Sequence, residues 1–326
     1  MDGAKRHGSI VCDFKSLYPS IIRTFNIDPY SFVEDCGGKN LIKAHNGACF
    51  RNDEGFLPAL IRHLWQQRDQ AKKEKNQTAS FAIKTLMNSF FGVLANPSCR
   101  FYSNTIANAI THFGQYLIKL TAKKIVELGY EVIYSDTDSV FINSKAESLE
   151  EAEKIGDKVQ VSIDKFFEEY VAKEYRRKSF LDLQFEKVYI RFLMPKVRRG
   201  EEGSKKRYAG LVIKDGKEQV QFVGLEAVRR DWTELAKRFQ HELFDRIFHK
   251  KEVAEFIRSF VKDLKSGKYD LLLTYKKAIR KELGEYTKTT PPHVKAARMM
   301  SALESNIIEY VMTEQGPQPV PAEGKI

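Results

Sequence analysis

Two short apolar runs that end in aspartates constrain the fold of this chain more than any other feature. Ser9-Ile-Val-Cys12 leads into Asp13, and Val132-Ile-Tyr134 leads into a segment that carries Asp136 and Asp138. β-Branched, apolar runs of this length are typical of buried strands. The sequence therefore predicts two strands that bring the three aspartates to one edge of a sheet.

Three carboxylates with no His or Cys beside them indicate a particular class of metal. Oxygen-only ligand sets suit a hard cation such as Mg²⁺ better than Zn²⁺. Two such ions can hold an attacking oxygen, a phosphorus and a leaving oxygen in line. Asp13, Asp136 and Asp138 therefore favour an enzyme of phosphoryl transfer.

Composition indicates a globular protein with a polyanionic partner. The chain has 326 residues, 42% of them hydrophobic and 30% charged, which is enough for two or three subdomains. Its formal net charge of +11 favours binding to a polyanion such as nucleic acid. A basic protein without such a partner is the alternative at this point.

Nothing in the sequence points to a membrane. No apolar run approaches the roughly 20 residues that span a bilayer, and residues 1–7 lack the apolar segment of a secretory signal. The chain has four cysteines, Cys12, Cys36, Cys49 and Cys99. They lie far apart and form no C-x-x-C pair, which is typical of reduced thiols in a cytosolic protein. We therefore expect a cytoplasmic protein with no membrane partner.

A hairpin of two helices is predicted over residues 57–94. Arg68 and Lys72 lie four residues apart on the first helix, and Lys84 and Asn88 four apart on the second. If these faces meet, three cations share one space in which a triphosphate could bind. The alternative is a pair of ordinary solvated helix faces.

The remaining pattern predicts mixed helices and strands. Residues 35–55 are predicted as loop, and from residue 231 onward the pattern is helical apart from a break at 289–292. In between, helices are expected at about 104–128 and 147–176, and strands at 131–135, 139–142, 180–194, 206–213 and 219–223.

Five segments resemble motifs of the family B DNA polymerases, in order and over about residues 9–313. The segment from Asp13 to Ile22 resembles motif A, Lys84 to Gly92 resembles motif B, and Tyr134 to Ser139 resembles motif C. Lys205 to Gly210 is similar to the K-K-R-Y motif that holds the primer, and Pro291 to Val294 to a thumb signature. Within the family, these segments resemble the bacterial DNA polymerase II group.

The resemblance implies an α+β, right-hand polymerase fold. An antiparallel palm sheet would carry the acids, two helices would form the fingers, and the thumb would be mainly helical. The implied domains are palm at 1–55 and 95–225, fingers at 56–94, and a partial thumb at 226–326.

The resemblance also assigns the metal ligands. Asp13 and Asp138 would bridge two Mg²⁺ ions, for which Mn²⁺ could substitute, and the Phe14 carbonyl would supply a further oxygen. Asp136 would be a secondary carboxylate beside them. Lys84 would donate a proton to the departing pyrophosphate.

Further residues are implied to bind nucleotide and DNA. Tyr18 would be the steric gate that selects dNTPs over rNTPs. The expected nucleotide-binding residues are Ser16, Leu17, Tyr18, Arg68, Lys72, Lys84 and Asn88. Those expected to hold the primer are Lys205, Lys206, Arg207 and Tyr208.

Several departures from the family pattern carry expectations of their own. Ser135 replaces a glycine of motif C and would be strained if its φ were positive. Only 12 residues precede Asp13, which predicts a polymerase without its own proofreading exonuclease and with a possible exonuclease or accessory partner. A short thumb predicts weak, salt-sensitive DNA binding.

The function expected from all these features is template-directed addition of dNTPs to a primer 3′ end, on primer-template DNA near the bacterial nucleoid. The first alternative is a non-catalytic or assisted DNA-binding remnant, or one part of a split polymerase. The second is an RNA polymerase or a template-free transferase, against which Tyr18 argues. Retention of the acids and the three cations favours the catalytic interpretation.

Overall fold

A computed structural model of the chain describes residues 8–196, 203–303 and 305–320. The chain forms two compact units: the amino-terminal unit within residues 5–190 and the carboxy-terminal unit within residues 191–326. Each unit has its own buried apolar clusters. Both units combine helices with antiparallel strands, so the predicted α+β class is confirmed.

The amino-terminal unit contains seven strands and five α-helices in its described part. Its strands are β1 (Ser9–Phe14), β2 (Phe32–Val33), β3 (Leu41–Lys43), β4 (Cys49–Arg51), β5 (Glu131–Asp136), β6 (Ser139–Asn143) and β7 (Leu183–Tyr189). Its helices are α1 (Leu17–Thr24), α2 (Phe56–Lys73), α3 (Gln77–Ala95), α4 (Asn104–Glu127) and α5 (Leu149–Tyr175).

A four-stranded antiparallel sheet, in the order β5-β6-β1-β7, organises this unit. The apolar run of β1 is buried, as its β-branched composition predicts, whereas Asp13 is only half-buried. Asp13 lies opposite Ser139 of β6 on one side and opposite Gln184 of β7 on the other. The end of β1 is therefore fixed by both neighbouring strands.

Helix α5 covers the edge strand β7. Its Asp164 and Gln160 side chains accept hydrogen bonds from the amides of Leu183 (2.8 Å) and Phe185 (2.7 Å). A Cβ at Gly156 would come within 2.5 Å of the Phe185 ring, so α5 approaches the strand this closely because it has a glycine there. These contacts satisfy edge amides that would otherwise be open to pairing.

Helices α2 and α3 form the predicted helical hairpin. Asn76 caps α3 by accepting a hydrogen bond from the Ala79 amide at 3.0 Å. Met87 and Leu94 are buried on the inner face of α3. The helix pattern located both helices to within a few residues.

The sequence pattern predicted residues 35–55 as a plain loop, and this prediction was wrong. β2, β4 and β3 form a small antiparallel sheet, and the hairpin of β3 and β4 brings Cys36 to 5.7 Å from Cys49 between Cα atoms. These two cysteines form a disulfide, so the expectation of four reduced thiols was wrong for them, while Cys12 and Cys99 are free. The spacing of 13 residues could not reveal that the chain folds back here.

The carboxy-terminal unit contains two three-stranded sheets in its described part. Strands β8 (Arg191–Leu193), β9 (Tyr208–Lys214) and β10 (Lys217–Val223) form one, in the order β10-β9-β8. Strands β11 (Tyr275–Ala278), β12 (Ile307–Thr313) and β13 (Gly316–Pro319) form the other. Its helices are α6 (Glu234–Phe248), α7 (Ala254–Lys265) and α8 (Pro292–Ala297).

The second sheet corrects the prediction that the chain is helical from residue 231 onward. Strand β11 pairs with β12 between Tyr275 and Tyr310, whose rings stack with centroids 5.3 Å apart. This pairing joins segments about 30 residues apart in sequence, and helix periodicity carries no information about such contacts. In the described residues of both units, no helix is long and apolar enough to cross a membrane.

Candidate active site

The backbone brings Asp13 and Asp138 alongside each other. The amide of Phe14 donates a hydrogen bond to the carbonyl of Asp138 at 2.8 Å, which joins the end of β1 to the turn between β5 and β6. In that turn Thr137 takes the left-handed conformation, with φ of 44°. Ser135 lies within β5, so the positive φ of the motif does not fall on the residue that replaces glycine.

Several charged side chains lie within electrostatic range of Asp13. Burial, then Asp138 and then Glu186 raise the pKa of the Asp13 carboxyl to about 7, while Lys84 and Lys187 oppose the shift. These effects require the Asp138 carboxylate and the Lys84 ammonium to lie within electrostatic range of Asp13. The structure therefore brings together two predicted acids and the predicted lysine of the helical hairpin.

Asp136 lies on the other side of β6 from Asp13. Both residues are paired with Ser139 of that strand, and the Thr137 hydroxyl donates a hydrogen bond to the Asp136 carboxylate at 3.1 Å. Within residues 8–196, 203–303 and 305–320, no three His, Cys, Asp or Glu side chains are grouped closely enough to hold a metal ion. The three predicted acids thus lie at the same end of the sheet, on β1, on β5 and in the turn that joins β5 to β6.

The pair of Asp13 and Asp138 nevertheless suits a hard divalent cation. Its donors are carboxylate oxygens, and the raised pKa of Asp13 reflects a burial penalty and a like-charge repulsion that a cation would relieve. Glu186 adds a third carboxylate within electrostatic range of Asp13. The residues present therefore fit a Mg²⁺ site.

Glu186 and Lys187 were missed by sequence reasoning. Between β1 and β7, Val11 pairs with Lys187 and Cys12 pairs with Phe185, which leaves Glu186 as the extra residue of a bulge. A bulge places two residues opposite one and redirects their side chains. A strand pattern over 180–194 gives no sign of such a shift in register.

The start of α1 supplies donors for an anion. Ser16 links β1 to α1 with φ of 51°, and its hydroxyl oxygen is buried without a hydrogen-bond partner in the described structure. Leu17 is 3% exposed, so its backbone amide and not its side chain is available to a ligand. Ser16 and the first amides of α1 form the end of a helix, where anions bind favourably.

Three cations lie together on the hairpin side of the sheet. Burial, then Arg68 and then Lys15 lower the pKa of the Lys72 ammonium. Two guanidinium nitrogens of Arg68 are buried without a hydrogen-bond partner among the residues that the structure describes. Lys15, which sequence reasoning did not single out, also donates to Asp182 at 3.3 Å. Unpartnered donors beside mutually repelling cations favour an anionic ligand.

Tyr18 is fixed between two helices. Its ring centroid lies 4.8 Å from that of Phe91 on α3, and a Cβ at Gly114 of α4 would lie 3.5 Å from its Cε1 atom. Asn88 lies one turn beyond Lys84 on α3 and is exposed. The tyrosine therefore has a defined position, whereas no contact orients Asn88 in the described structure.

The segment Lys205–Tyr208 lies in the carboxy-terminal unit, and its role stays a prediction. Lys206 has φ of 59°, and a Cβ at Gly224 would meet the Lys206 carbonyl oxygen at 1.9 Å. Arg207 donates to the Glu226 carboxylate, which also accepts a hydrogen bond from Gln240 at 2.9 Å. Arg207 is therefore tied into its own unit.

The raised pKa of Asp13 leads to a testable pH dependence. Because its folded pKa of about 7 lies above the ordinary value of about 4, its stabilising contribution is present at low pH and is lost as pH rises through about 7. In metal-free protein, the gain in stability of Asp13→Asn over wild type should be absent below about pH 4, intermediate near pH 5.5 and largest near pH 8, at about 1–2 kcal/mol after allowance for solvent screening. Urea unfolding at these pH values measures this. Asp157→Asn, on an exposed position of α5, is the control, and an equal gain there would contradict the interpretation.

Comparisons with known proteins find related sequences over nearly the whole chain. A family model described as DNA polymerase family B matches residues 6–318. DNA polymerase II of Escherichia coli (strain K12) is 41% identical over 326 residues, which cover 95% of this chain and 42% of that protein. The DNA polymerase of Thermococcus gorgonarius is 31% identical over 312 residues, 90% of this chain and 37% of that protein.

A solved structure shows the same fold. The family B DNA polymerase of Pyrobaculum calidifontis aligns with a TM-score of 0.64 and 27% identity, covering 97% of this chain and 41% of that one. The chain thus spans about two fifths of the length of these relatives.

Proposed function

This chain belongs to DNA polymerase family B, and we propose that it catalyses template-directed addition of dNTPs to the 3′ end of a DNA primer. The observation that carries the proposal is the backbone hydrogen bond from Phe14 to Asp138, which brings Asp13 and Asp138 alongside each other with Lys84 within electrostatic range. A module that only bound DNA would gain nothing from placing two half-buried, mutually repelling carboxylates side by side. The resemblance to the bacterial polymerase II group supports the same activity.

Asp13 and Asp138 would hold two Mg²⁺ ions, with the Phe14 carbonyl as a further ligand and Asp136 as a secondary carboxylate. Mn²⁺, which accepts the same oxygen ligands, could replace them. When bound, the ions would polarise the reacting phosphate and lower the pKa of the attacking hydroxyl. Glu186, through its charge near Asp13, would add to the negative potential that attracts them.

The protein's own side chains would bind and orient the nucleotide. Ser16 and the first amides of α1 would donate hydrogen bonds to its phosphates, and Arg68, Lys72 and Lys84 would neutralise them. Lys84 would transfer its proton to the departing pyrophosphate. Lys15, which repels Lys72, would add to the positive potential around the triphosphate.

Primer extension tests the proposal directly. The protein is incubated with a labelled primer-template, Mg²⁺ and four dNTPs, and we expect extension that follows the template sequence and stops when EDTA is added. Extension of a primer without template would indicate a transferase, and preference for rNTPs an RNA polymerase. Tight DNA binding with no extension would instead support the non-catalytic or split-polymerase alternative.

Gly224 allows a test of the predicted primer contact in Lys205–Tyr208. Gly224→Ala should weaken primer-template affinity about tenfold, because the added Cβ displaces the Lys206 backbone. Fluorescence anisotropy with labelled primer-template measures the affinity. The matched control is Gly216→Ala, which has a similar φ of +72° but no atom within 4 Å, so it should lose only about 1 kcal/mol of stability. Equal affinity of both variants would count against the contact.

A further inference from the structure

A second cluster of cations lies at the far end of α1 from the acids. Arg23, in the last turn of that helix, has its guanidinium 3.9 Å from the ring centroid of Phe180 and 5.4 Å from that of Trp65. The rings cover the faces of the guanidinium, and none of the described residues accepts a hydrogen bond from it. Stacking thus fixes the plane of Arg23 while its N–H edge stays available.

Arg177 connects the segments that carry this cluster. Its guanidinium donates to the carbonyls of Thr24 (2.7 Å) and Asn52 (2.9 Å) and to the Asn52 side chain (2.6 Å), with a longer contact to the Arg23 carbonyl (3.4 Å). These bonds join the end of α1, the segment before α2 and the segment after α5. Arg177 is therefore structural, and it holds the neighbouring cations in place.

The cations line a cavity of about 310 Å³. Besides Arg23 and Arg177, it is lined by Arg62, Arg176 and Lys178, and the one acidic side chain there is Glu54. Glu54 pairs with Arg62 at 2.9 Å, whereas no carboxylate in the described structure pairs with Arg23, Arg176 or Lys178. Burial, then repulsion from Arg62, lowers the pKa of Arg23.

We propose that this cavity is a phosphate-binding site distinct from the nucleotide site at the other end of α1. A stacked guanidinium with a free edge matches two phosphate oxygens, and further cations from three segments converge beside it. Five cations against one carboxylate leave an excess of positive charge that an anion would neutralise. Because α1 has eight residues, the two sites are separated by about 12 Å along the helix.

The phosphate could come from a nucleic-acid strand or from a free phosphate compound. As a contact to a strand, the site rests on the proposed polymerase function, because it would hold DNA beyond the primer end. As a site for free pyrophosphate, it would bind a product of the same reaction. The two sources need separate arms of one experiment.

The experiment uses charge variants of the whole chain. Arg176→Gln and Lys178→Gln remove exposed cations and should not affect folding. Arg23→Lys keeps the positive charge but removes the planar guanidinium that can donate two parallel hydrogen bonds. Glu54→Gln frees Arg62 and should act in the opposite direction. Lys154→Gln and Glu153→Gln are matched controls on an exposed part of α5, about 33 Å along the helix from Arg176.

The first arm measures the affinity for a labelled single-stranded oligothymidylate as a function of salt. We expect Arg176→Gln, Lys178→Gln and Arg23→Lys each to weaken binding about fivefold to tenfold relative to the controls. The two glutamine variants should also reduce the salt slope by about 0.7 each, and Glu54→Gln should tighten binding. This result supports a strand as the source.

The second arm titrates inorganic pyrophosphate by calorimetry without divalent ions. Weaker pyrophosphate binding with unchanged oligothymidylate binding supports the site with a free phosphate as its ligand. If all variants match their controls in both arms, the site does not exist. Primer extension by wild type is measured alongside. If wild type extends primers but no variant changes ligand binding, only the phosphate-site inference is overturned. If the variants change ligand binding but wild type does not extend primers, only the polymerase proposal is overturned.

Discussion

Replacing Asp138 with asparagine is expected to lower the rate of primer extension by at least about a thousandfold. The substitution keeps the size of the side chain but removes one of the two charges that would hold the metal ions. It also removes the second cause of the raised pKa of Asp13, so that pKa should move toward its ordinary value. Single-turnover extension with saturating dNTP and Mg²⁺ measures the rate.

The control for this prediction is Asp157→Asn, the same chemical change on an exposed position of α5. It should extend primers at the wild-type rate. Asp138→Asn should keep the wild-type affinity for primer-template and its melting temperature to within a few degrees, because the residue lies in a turn, is only partly buried and keeps its size. Extension by Asp138→Asn at more than a tenth of the wild-type rate would rule out a metal-binding role for this carboxylate.

The second large effect is expected at Tyr18. Tyr18→Ala should raise the ratio of kcat/KM for rNTP to that for dNTP about a hundredfold, because the ring that would exclude a 2′-hydroxyl is removed. Its contacts with Phe91 and Gly114 hold that ring in one place. Single-nucleotide insertion of matched rNTP and dNTP measures the ratio.

Tyr18→Phe separates the ring from its hydroxyl. The phenylalanine keeps the steric bulk, so discrimination should remain near wild type, while the alanine leaves a cavity that costs about 2–4 kcal/mol of stability. Both variants are therefore checked for folding at the assay temperature. An unchanged ratio in folded Tyr18→Ala would show that sugar selection lies elsewhere.

Much of the candidate site could be predicted because local patterns determine it. The apolar run before Asp13 forms a buried strand, so Asp13 lies near the end of that strand as expected. The helical hairpin followed from the helical spacing of its apolar residues. These features depend on residues close together in the chain.

The features that escaped prediction depend on pairing between distant segments. Glu186 reaches Asp13 through a shift of register between β1 and β7, and neither strand shows it alone. The Cys36–Cys49 disulfide needs the hairpin of β3 and β4 to bring its partners together. Arg207, which was expected to hold the primer, donates to Glu226, and nothing in the sequence pairs these two residues.

Helix α1 connects the two proposed sites. Its N-cap residue, Ser16, follows the end of β1 by two residues, and in its last turn Arg177 holds the carbonyls of Arg23 and Thr24. Because a helix rises about 1.5 Å and turns about 100° per residue, the number of residues in α1 sets both the distance and the relative direction of Ser16 and Arg23. An insertion or deletion within this helix would therefore change the geometry of one site relative to the other.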